Sequence, residues 1–154
     1  MIKTIEGQPK IKGRKFYVIA SRFNEFITQR LLEACLVELK RRGVKDSEIT
    51  VAWVPGAFEI PLAALKVAQK KTTAAVICLG AVIRGETLHF ELIAANTAEG
   101  IARAVLQAEK PIVFGVLTTD TVDQAYKRSE AKGDNKGREA AVTAVKMANL
   151  LQQI

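Results

Sequence analysis

The amino-acid sequence predicts an α/β protein built on a four-stranded parallel sheet. Four runs of apolar, largely β-branched residues are nearly continuous rather than alternating, at positions 16–20, 49–54, 74–83 and 111–118. Such runs are typical of strands that are covered on both faces. Helical periodicity fills the intervals between them, and strand–helix alternation indicates right-handed βαβ units. We therefore predict a three-layer α/β/α sandwich, flavodoxin-like, with strand order 2-1-3-4.

Four segments are predicted to be helices from the spacing of their apolar residues. In the first segment these residues recur every four positions, and Pro61 suits the first turn of the second, shorter helix. The residues that mark the four helices, in chain order, are Ile27, Leu31, Cys35 and Leu39, then Leu65 and Ala68, then Leu92, Ala95, Ile101, Val105 and Leu106, and finally Ala141, Ala144, Val145, Ala148 and Leu151.

The length of 154 residues suits one domain with a real core, and no linker or repeat divides residues 1–154. The longest apolar run, 74–83, is far shorter than the ~20 residues that a membrane-spanning helix needs. The N-terminus also lacks the apolar core of a signal peptide. We expect a protein of the cytoplasm, or of a bacterial or organellar equivalent, with no membrane partner.

The few cysteines and histidines argue against a metal site. Cys35 and Cys78 lie in predicted core segments without a CxxC motif, which favours reduced core thiols over a disulfide. With a single histidine in the chain, a histidine-rich metal site is not expected.

The net charge of +7 is compatible with two kinds of partner. Nucleic-acid binding would require clustered basic residues with exposed aromatic side chains. Here lysine and arginine are spread over every predicted helix, and most aromatic residues fall in or beside the apolar runs. A basic balance equally suits anionic substrates such as phosphate esters. We favour an anionic substrate and expect no nucleic-acid partner.

Ligands of such sheets bind beyond the carboxyl ends of the strands, near the reversal of strand order. Four loops begin there, at positions 21–24, 55–59, 84–89 and 119–121. They contain neither GxGxxG nor GxxxxGK[ST], and the first loop lacks a Ser/Thr-rich phosphate nest. The fold alone therefore implies no bound flavin mononucleotide, and we expect no cofactor.

Several residues in these loops have both a functional and a structural interpretation. Phe23 could stack on a flat heterocycle or pack the first helix against the sheet. Glu59 could bind the hydroxyls of a polyol or simply place a negative charge at a helix start. His89, whose ordinary pKa is close to neutrality, is the leading proton shuttle, although a lone histidine is often structural. Arg128 could bind phosphate or remain a solvated charge, and backbone amides near Thr87 could hold an anion.

Five strings occur together from the first strand to the last helix: 21–24 (SRFN), 54–61 (VPGAFEIP), 80–85 (GAVIRG) with 89–90 (HF), 114–119 (FGVLTT), and 135–137 (NKG) with 147–150 (MANL). In order and spacing the chain closely resembles the 6,7-dimethyl-8-ribityllumazine synthase family. The resemblance covers nearly the whole chain. It implies two substrates, 5-amino-6-(D-ribitylamino)uracil and 3,4-dihydroxy-2-butanone 4-phosphate, and no metal or redox cofactor.

The resemblance also assigns roles by position. For the pyrimidine substrate it implies a ring-stacking Phe23, a ribityl pocket of Ala57, Phe58 and Glu59, ring-edge contacts from Ala81, Val82 and Ile83, and Phe114 from a neighbouring subunit. For the phosphorylated substrate it implies backbone amides of Glu86 and Thr87, the Thr87 hydroxyl, Arg128 and an assisting Lys136. His89 would move protons, and Glu139 would orient His89.

Two positions depart from the family pattern. Glu86 replaces a residue that is often small, which puts a carboxylate beside the expected phosphate site unless the side chain turns to solvent. The string 129–131 (SEA) replaces a more usual Ala-Gly-Thr, which affects how Arg128 approaches the site.

The resemblance also implies homo-oligomers with sites at subunit interfaces. Members form pentamers, in which the N-terminal segment, here 1–13, pairs with a neighbouring subunit. Some members assemble twelve pentamers into a hollow shell, and 132–137 carries no insertion against this. An association with riboflavin synthase stays open. The alternatives to an enzyme are a non-catalytic protein that binds flavins or ribityl compounds, and a protein whose role is the shell.

Overall fold

The computed structural model describes all residues of the chain, 1–154. Its sheet consists of β1 (Lys15–Ser21), β2 (Ile49–Val54), β3 (Thr73–Ile83) and β4 (Ile112–Thr119). All pairs are parallel, and the order is β2-β1-β3-β4. The predicted flavodoxin-like sheet and its strand order are confirmed. Because β1 and β3 are central, the reversal of strand order lies between their carboxyl ends, where the theory of such folds expects a ligand.

Five α-helices cover the sheet: α1 (Glu25–Arg41), α2 (Ile60–Ala68), α3 (His89–Ala108), α4 (Val122–Lys127) and α5 (Lys136–Leu150). Helices α1 and α5 pack together on one face and bury Leu31 and Val145 at their contact with the sheet. Helices α2 and α3 cover the other face through Ile60 and Ile101. This gives the three layers that the sequence predicts.

Two details of the helices differ from the expectation. The six-residue α4 was not predicted, because it is too short for an apolar period to emerge from the sequence. In α3, the buried residues are Thr97, Ile101 and Ala104, whereas three of the marker residues used to predict it, Leu92, Ala95 and Leu106, are exposed. The helix is therefore apolar on a second face that the chain itself leaves uncovered.

Cys35 and Cys78 are fully buried and unbonded, as predicted. They belong to opposite layers of the core, Cys35 beneath α1 and α5 and Cys78 beneath α2 and α3. Burial raises the pKa of the Cys35 thiol to about 12 and also raises the pKa of Cys78. Both side chains therefore act as small apolar residues of the interior.

Helix α5 crosses α1 at a point of very close approach. A Cβ atom at Gly137, in the first turn of α5, would lie 2.0 Å from the carbonyl oxygen of Leu31. Only glycine fits where two helix backbones approach so closely. The same turn is capped by the fully buried Asn135, whose Oδ1 accepts hydrogen bonds from the backbone N–H groups of Gly137 (2.8 Å) and Arg138 (3.2 Å).

The segment before β1 contains no helix or strand, and its second half lies on the end of α5. The Asn149 amide donates to the carbonyl oxygens of Gln8 and Lys10 at 2.7 and 2.9 Å. The Gln153 amide reaches the carbonyl of Glu6, and a Cβ at Gly7 would overlap the backbone of Lys146. Residues 6–10 are thus held on their own chain, and pairing of residues 1–13 with a neighbouring subunit stays a prediction.

None of the helices combines the length and the apolar character that a membrane span requires.

Candidate active site

A cavity of about 580 Å³ opens at the carboxyl ends of β1, β2 and β3. It lies where strand order reverses, and it gathers residues from three separate loops. Nine of the predicted site residues line it: Phe23, Ala57, Phe58, Glu59, Ala81, Val82, Ile83, Thr87 and His89. We refer to this space as the strand-end cavity.

Phe23 forms one wall of the strand-end cavity and is 72% exposed. Its backbone N–H donates to the carbonyl oxygen of Pro55 at 3.0 Å, which fixes the chain at the end of β2. The aromatic ring itself packs against no other aromatic ring of the chain. A phenylalanine that packed a helix against the sheet would be buried, whereas an exposed ring on a fixed backbone can stack on a flat ligand. This geometry therefore favours the platform interpretation over the helix-packing one.

Glu59 ends a short 3-10 turn (Ala57–Glu59) that leads into α2. Its Oε2 accepts a hydrogen bond from the backbone N–H of Gly56 at 2.9 Å. The structural interpretation, a carboxylate at a helix start, is therefore correct for one oxygen. The side chain is nonetheless exposed and lines the cavity, so Oε1 is available to a hydroxyl group.

His89 is the first residue of α3, and its backbone N–H donates to the Thr87 hydroxyl at 3.4 Å. The imidazole is exposed to the cavity and makes no hydrogen bond within the chain. Glu86 is exposed and is not among the residues that line the cavity.

Arg84 connects three parts of the rim. Its guanidinium donates to Asp120 at 2.7 Å, forms an ion pair with Glu91, and lies 4.6 Å from the centre of the Phe90 ring. Hydrogen bonds from Arg84 to Asp120 and Glu91 raise the pKa of the guanidinium. The pKa of the Glu91 carboxyl is lowered, first by its own backbone amide and then by Arg84. Arg84 therefore holds the loop in place and is not a free cation for a phosphate.

The remaining predicted residues lie elsewhere. Phe114, Arg128, Lys136 and Glu139 line a second cavity, of about 330 Å³, along the free edge of β4 beside α5. Phe114 is 46% exposed there. Arg128 turns back to the carbonyl oxygen of Gln124 at 3.0 Å, and Lys136 Nζ pairs with Glu139 at 2.9 Å. We refer to this space as the edge-strand cavity.

The strand-end cavity and the edge-strand cavity share no lining residue. Within one chain, His89 and Glu139 therefore do not meet, and the nearest partner of Glu139 is Lys136. A site that used all the predicted residues would need the edge-strand cavity of another chain.

Some lining residues were not predicted. Phe90 and Ile93 line the strand-end cavity from the first two turns of α3, and Thr118 and Thr143 line the edge-strand cavity. A helical period counted from His89 would have found Ile93, four residues on. No comparable pattern singles out Thr118 or Thr143, because their neighbourhood depends on how α5 packs against β4.

A comparison with known protein families shows which family the chain belongs to. The model of the 6,7-dimethyl-8-ribityllumazine synthase family matches residues 13–152. The chain belongs to this family. The match spans every helix and strand and both cavities, so it covers the whole α/β sandwich and not a single motif. Lumazine synthases are transferases of riboflavin biosynthesis, and that general role applies to this member.

Proposed function

We propose that this lumazine synthase family member condenses 5-amino-6-(D-ribitylamino)uracil with 3,4-dihydroxy-2-butanone 4-phosphate. The product is 6,7-dimethyl-8-ribityllumazine, with release of phosphate and water. The observation that carries the proposal is the strand-end cavity. In a chain that belongs to the lumazine synthase family, it brings Phe23, Glu59 and His89 together where the strand order reverses.

In the proposed reaction the pyrimidine substrate occupies the strand-end cavity. Its ring stacks on Phe23, and its ribityl hydroxyls reach the free oxygen of Glu59. The walls formed by Ala81, Val82 and Ile83 at the end of β3 contact the ring edge, where backbone groups supply donors and acceptors. Ala57 and Phe58 close the ribityl side.

The chemistry needs repeated proton transfer. The amine of the pyrimidine attacks the ketone and expels water to form an imine, phosphate then leaves, the enol tautomerises, and the second amine closes the ring with loss of another water. His89 serves these transfers, since its imidazole is exposed to the cavity and unpaired. Because the reactants already have a strong tendency to condense, holding them together contributes much of the acceleration.

The leaving phosphate needs cations and backbone donors. The start of α3 and Thr87 supply donors beside His89, and Arg128 with Lys136 supplies positive charge. Since these cations line the edge-strand cavity, we propose that a neighbouring subunit contributes them, together with Phe114 and Glu139.

Self-association has support of its own in α3. Leu88, Leu92 and Leu106 are 75%, 61% and 80% exposed, and with the exposed Ala95 and Ala102 they follow one line along the helix, which only Glu99, paired with Arg103, interrupts. We call these five residues the α3 stripe. An exposed apolar row of this kind is typical of a subunit interface. The free edge of β2 is a second surface that another chain can pair with. We propose that the chain forms the pentamer of its family.

The test is to mix both substrates with the protein and follow lumazine absorbance. His89→Ala should lower kcat about tenfold to a hundredfold, near the low end for general acid–base catalysis, while the affinity for the pyrimidine survives. Gln107→Ala, an exposed position of the same helix, is the matched control and should leave both quantities unchanged. Unchanged turnover in His89→Ala would remove His89 from the mechanism. Binding without any turnover in the unaltered protein would favour a ribityl-binding protein over an enzyme.

A further inference from the structure

The loop of residues 22–24 joins β1 to α1 between the carboxyl ends of β2 and β3. On the β2 side it is fixed by the backbone. The N–H of Arg22 donates to the carbonyl oxygen of Val54 at 2.8 Å, and the N–H of Phe23 donates to that of Pro55 at 3.0 Å. These bonds continue the β1–β2 ladder past the ends of the strands.

On the β3 side the loop is held by one side chain. The Asn24 amide donates to the carbonyl oxygen of Ala81 at 2.8 Å, across a sequence separation of 57 residues and in a half-buried position. Asn24 also has a left-handed backbone, with φ 58° and ψ 40°. Asparagine tolerates this conformation better than most residues, so the identity of the residue serves both the turn and the bond.

Asn24 stands at the start of α1, where an asparagine usually caps its own helix. Its side chain makes no capping hydrogen bond here, although its carbonyl oxygen accepts from the N–H of Ile27 at 3.0 Å. The amide instead crosses to a different element. Since a cap would contribute about 1 kcal/mol to the helix, the use of the side chain elsewhere needs another reason.

Phe23 and Ala81 line the same cavity, and the bond from Asn24 connects them. Arg22, on the other side of Phe23, is also immobilised, since its guanidinium lies 4.2 Å from the centre of the Trp53 ring and 2.6 Å from Glu25. The ring of Phe23, 72% exposed, thus lies between two neighbours whose side chains are held by other parts of the chain.

We propose that Asn24 is a positioning residue that fixes Phe23 as a stacking platform and sets its distance from the ring-edge wall at Ala81. The inference rests on the proposed function, because that function assigns a pyrimidine ring to Phe23. A platform held before the ligand arrives lowers the conformational entropy that binding must overcome.

Two variants test this role. Asn24→Asp keeps the shape and the tolerance for a left-handed backbone but turns an acceptor toward the Ala81 carbonyl. Asn24→Gly keeps the backbone and removes the side chain. In both, KM for the pyrimidine substrate should rise about 3- to 10-fold, the range for loss of one neutral hydrogen bond. Neither kcat nor KM for the phosphorylated ketone should change, since His89 and the phosphate donors are untouched.

The matched control is Glu109→Gly, at the other non-glycine residue with a left-handed backbone, which is exposed at the far end of α3. It should leave every kinetic constant unchanged. Hydrogen exchange of the Phe23 and Asn24 amides supplies a readout that needs no turnover. Exchange should become faster in both Asn24 variants and not in Glu109→Gly.

Unchanged exchange, or an unchanged KM for the pyrimidine, in both Asn24 variants would overturn the positioning role. A fall in kcat with no change in KM for the pyrimidine would also overturn the positioning role, because it would assign Asn24 to the chemical steps. If the unaltered protein forms no lumazine, the proposed function fails by itself. Calorimetric affinity for a ribitylamino-pyrimidine then replaces KM, and together with the exchange rates it decides the role of Asn24.

Discussion

Asn135 illustrates how one polar side chain can organise a loop that carries two candidate phosphate ligands. It is fully buried, accepts from two backbone amides of α5, and donates to the Glu130 carbonyl oxygen at 3.1 Å. The loop is closed by the N–H of Lys136, which donates to the carbonyl oxygen of Arg128 at 2.9 Å. Arg128 and Lys136 are thus adjacent because the backbone hydrogen bond between them joins the two ends of the loop.

Replacing this asparagine should therefore destabilise the protein. In Asn135→Ala, backbone groups lose their partners in a buried setting, and we expect a loss of about 2–3 kcal/mol in the free energy of unfolding. Asn96→Ala is the control, since Asn96 is exposed and donates only to the Leu92 carbonyl of its own helix. Urea denaturation measures both, and equal midpoints would contradict the role assigned to Asn135.

The buried thiols lead to a prediction about pH. Because burial raises the pKa of Cys35 to about 12, and also raises that of Cys78, the unfolded chain releases these protons at a lower pH than the folded one. Their contribution to stability is complete below about pH 8.5 and is lost as the pH rises from there toward the folded-state values. A Cys35→Ala, Cys78→Ala double variant should show a shallower decline of the unfolding free energy above pH 8.5. An identical decline in the parent protein would exclude the thiols as its cause.

Single residues could be assigned from the sequence only where a strand end placed them. Phe23, Glu59 and His89 lie in or at the end of the loops that follow three strands, so the parallel topology brings them to the same edge of the sheet. The role of Asn24 could not be predicted, because its partner Ala81 is 57 residues away and its donor direction depends on a left-handed turn. Interactions across the sheet edge have no periodic trace in the sequence.

At the scale of elements, the crossing of α1 and α5 depends on a missing side chain. Gly137→Ala places a Cβ against the Leu31 carbonyl, and the helices must separate to admit it. We expect a cost of about 1–3 kcal/mol in unfolding free energy, the usual range for overpacking. Gly85→Ala is a suitable control, since no atom lies within 4 Å of a Cβ built there. Thermal unfolding of both variants decides, and a Gly137→Ala protein as stable as Gly85→Ala would contradict the close packing.

The elements themselves were the most predictable level. The four strands were found to within a few residues because strands covered on both faces have uninterrupted apolar sequences. Helix α3 was found but its faces were not separated, since both the buried face and the α3 stripe are apolar. Periodicity reports that a residue lies on an apolar face, and it does not report whether the chain itself or another molecule covers that face.

At the scale of the whole molecule, two cavities with no shared residue suggest a site completed between chains. Two variants of low activity should then complement each other. His89→Ala damages only the strand-end cavity, and Arg128→Ala damages only the edge-strand cavity. When equal amounts are unfolded and refolded together, random pairing should restore about a quarter of the interfaces. Absence of any recovery, with the oligomer intact, would contradict a shared site.

The α3 stripe gives a separate test of assembly. Leu106→Glu introduces a charge at a residue that is 80% exposed in the single chain, so folding should be unaffected. In an oligomer that buries the stripe, the same charge should cause dissociation. Gln107→Glu, one position along the helix, adds the same charge off the stripe. Light scattering compares their masses, and equal masses would exclude the stripe from the interface.

The separation of the two cavities also has a consequence for dilution. The sheet and both cavities are built from residues of one chain, and in a shared site each cavity would need the groups that line the other cavity of a neighbouring chain. The number of complete sites per chain then falls as the oligomer dissociates on dilution. Turnover per chain should decline with falling protein concentration while the circular dichroism spectrum stays constant. We therefore expect the loss of activity on dilution to come from dissociation of the oligomer and not from unfolding of the chain.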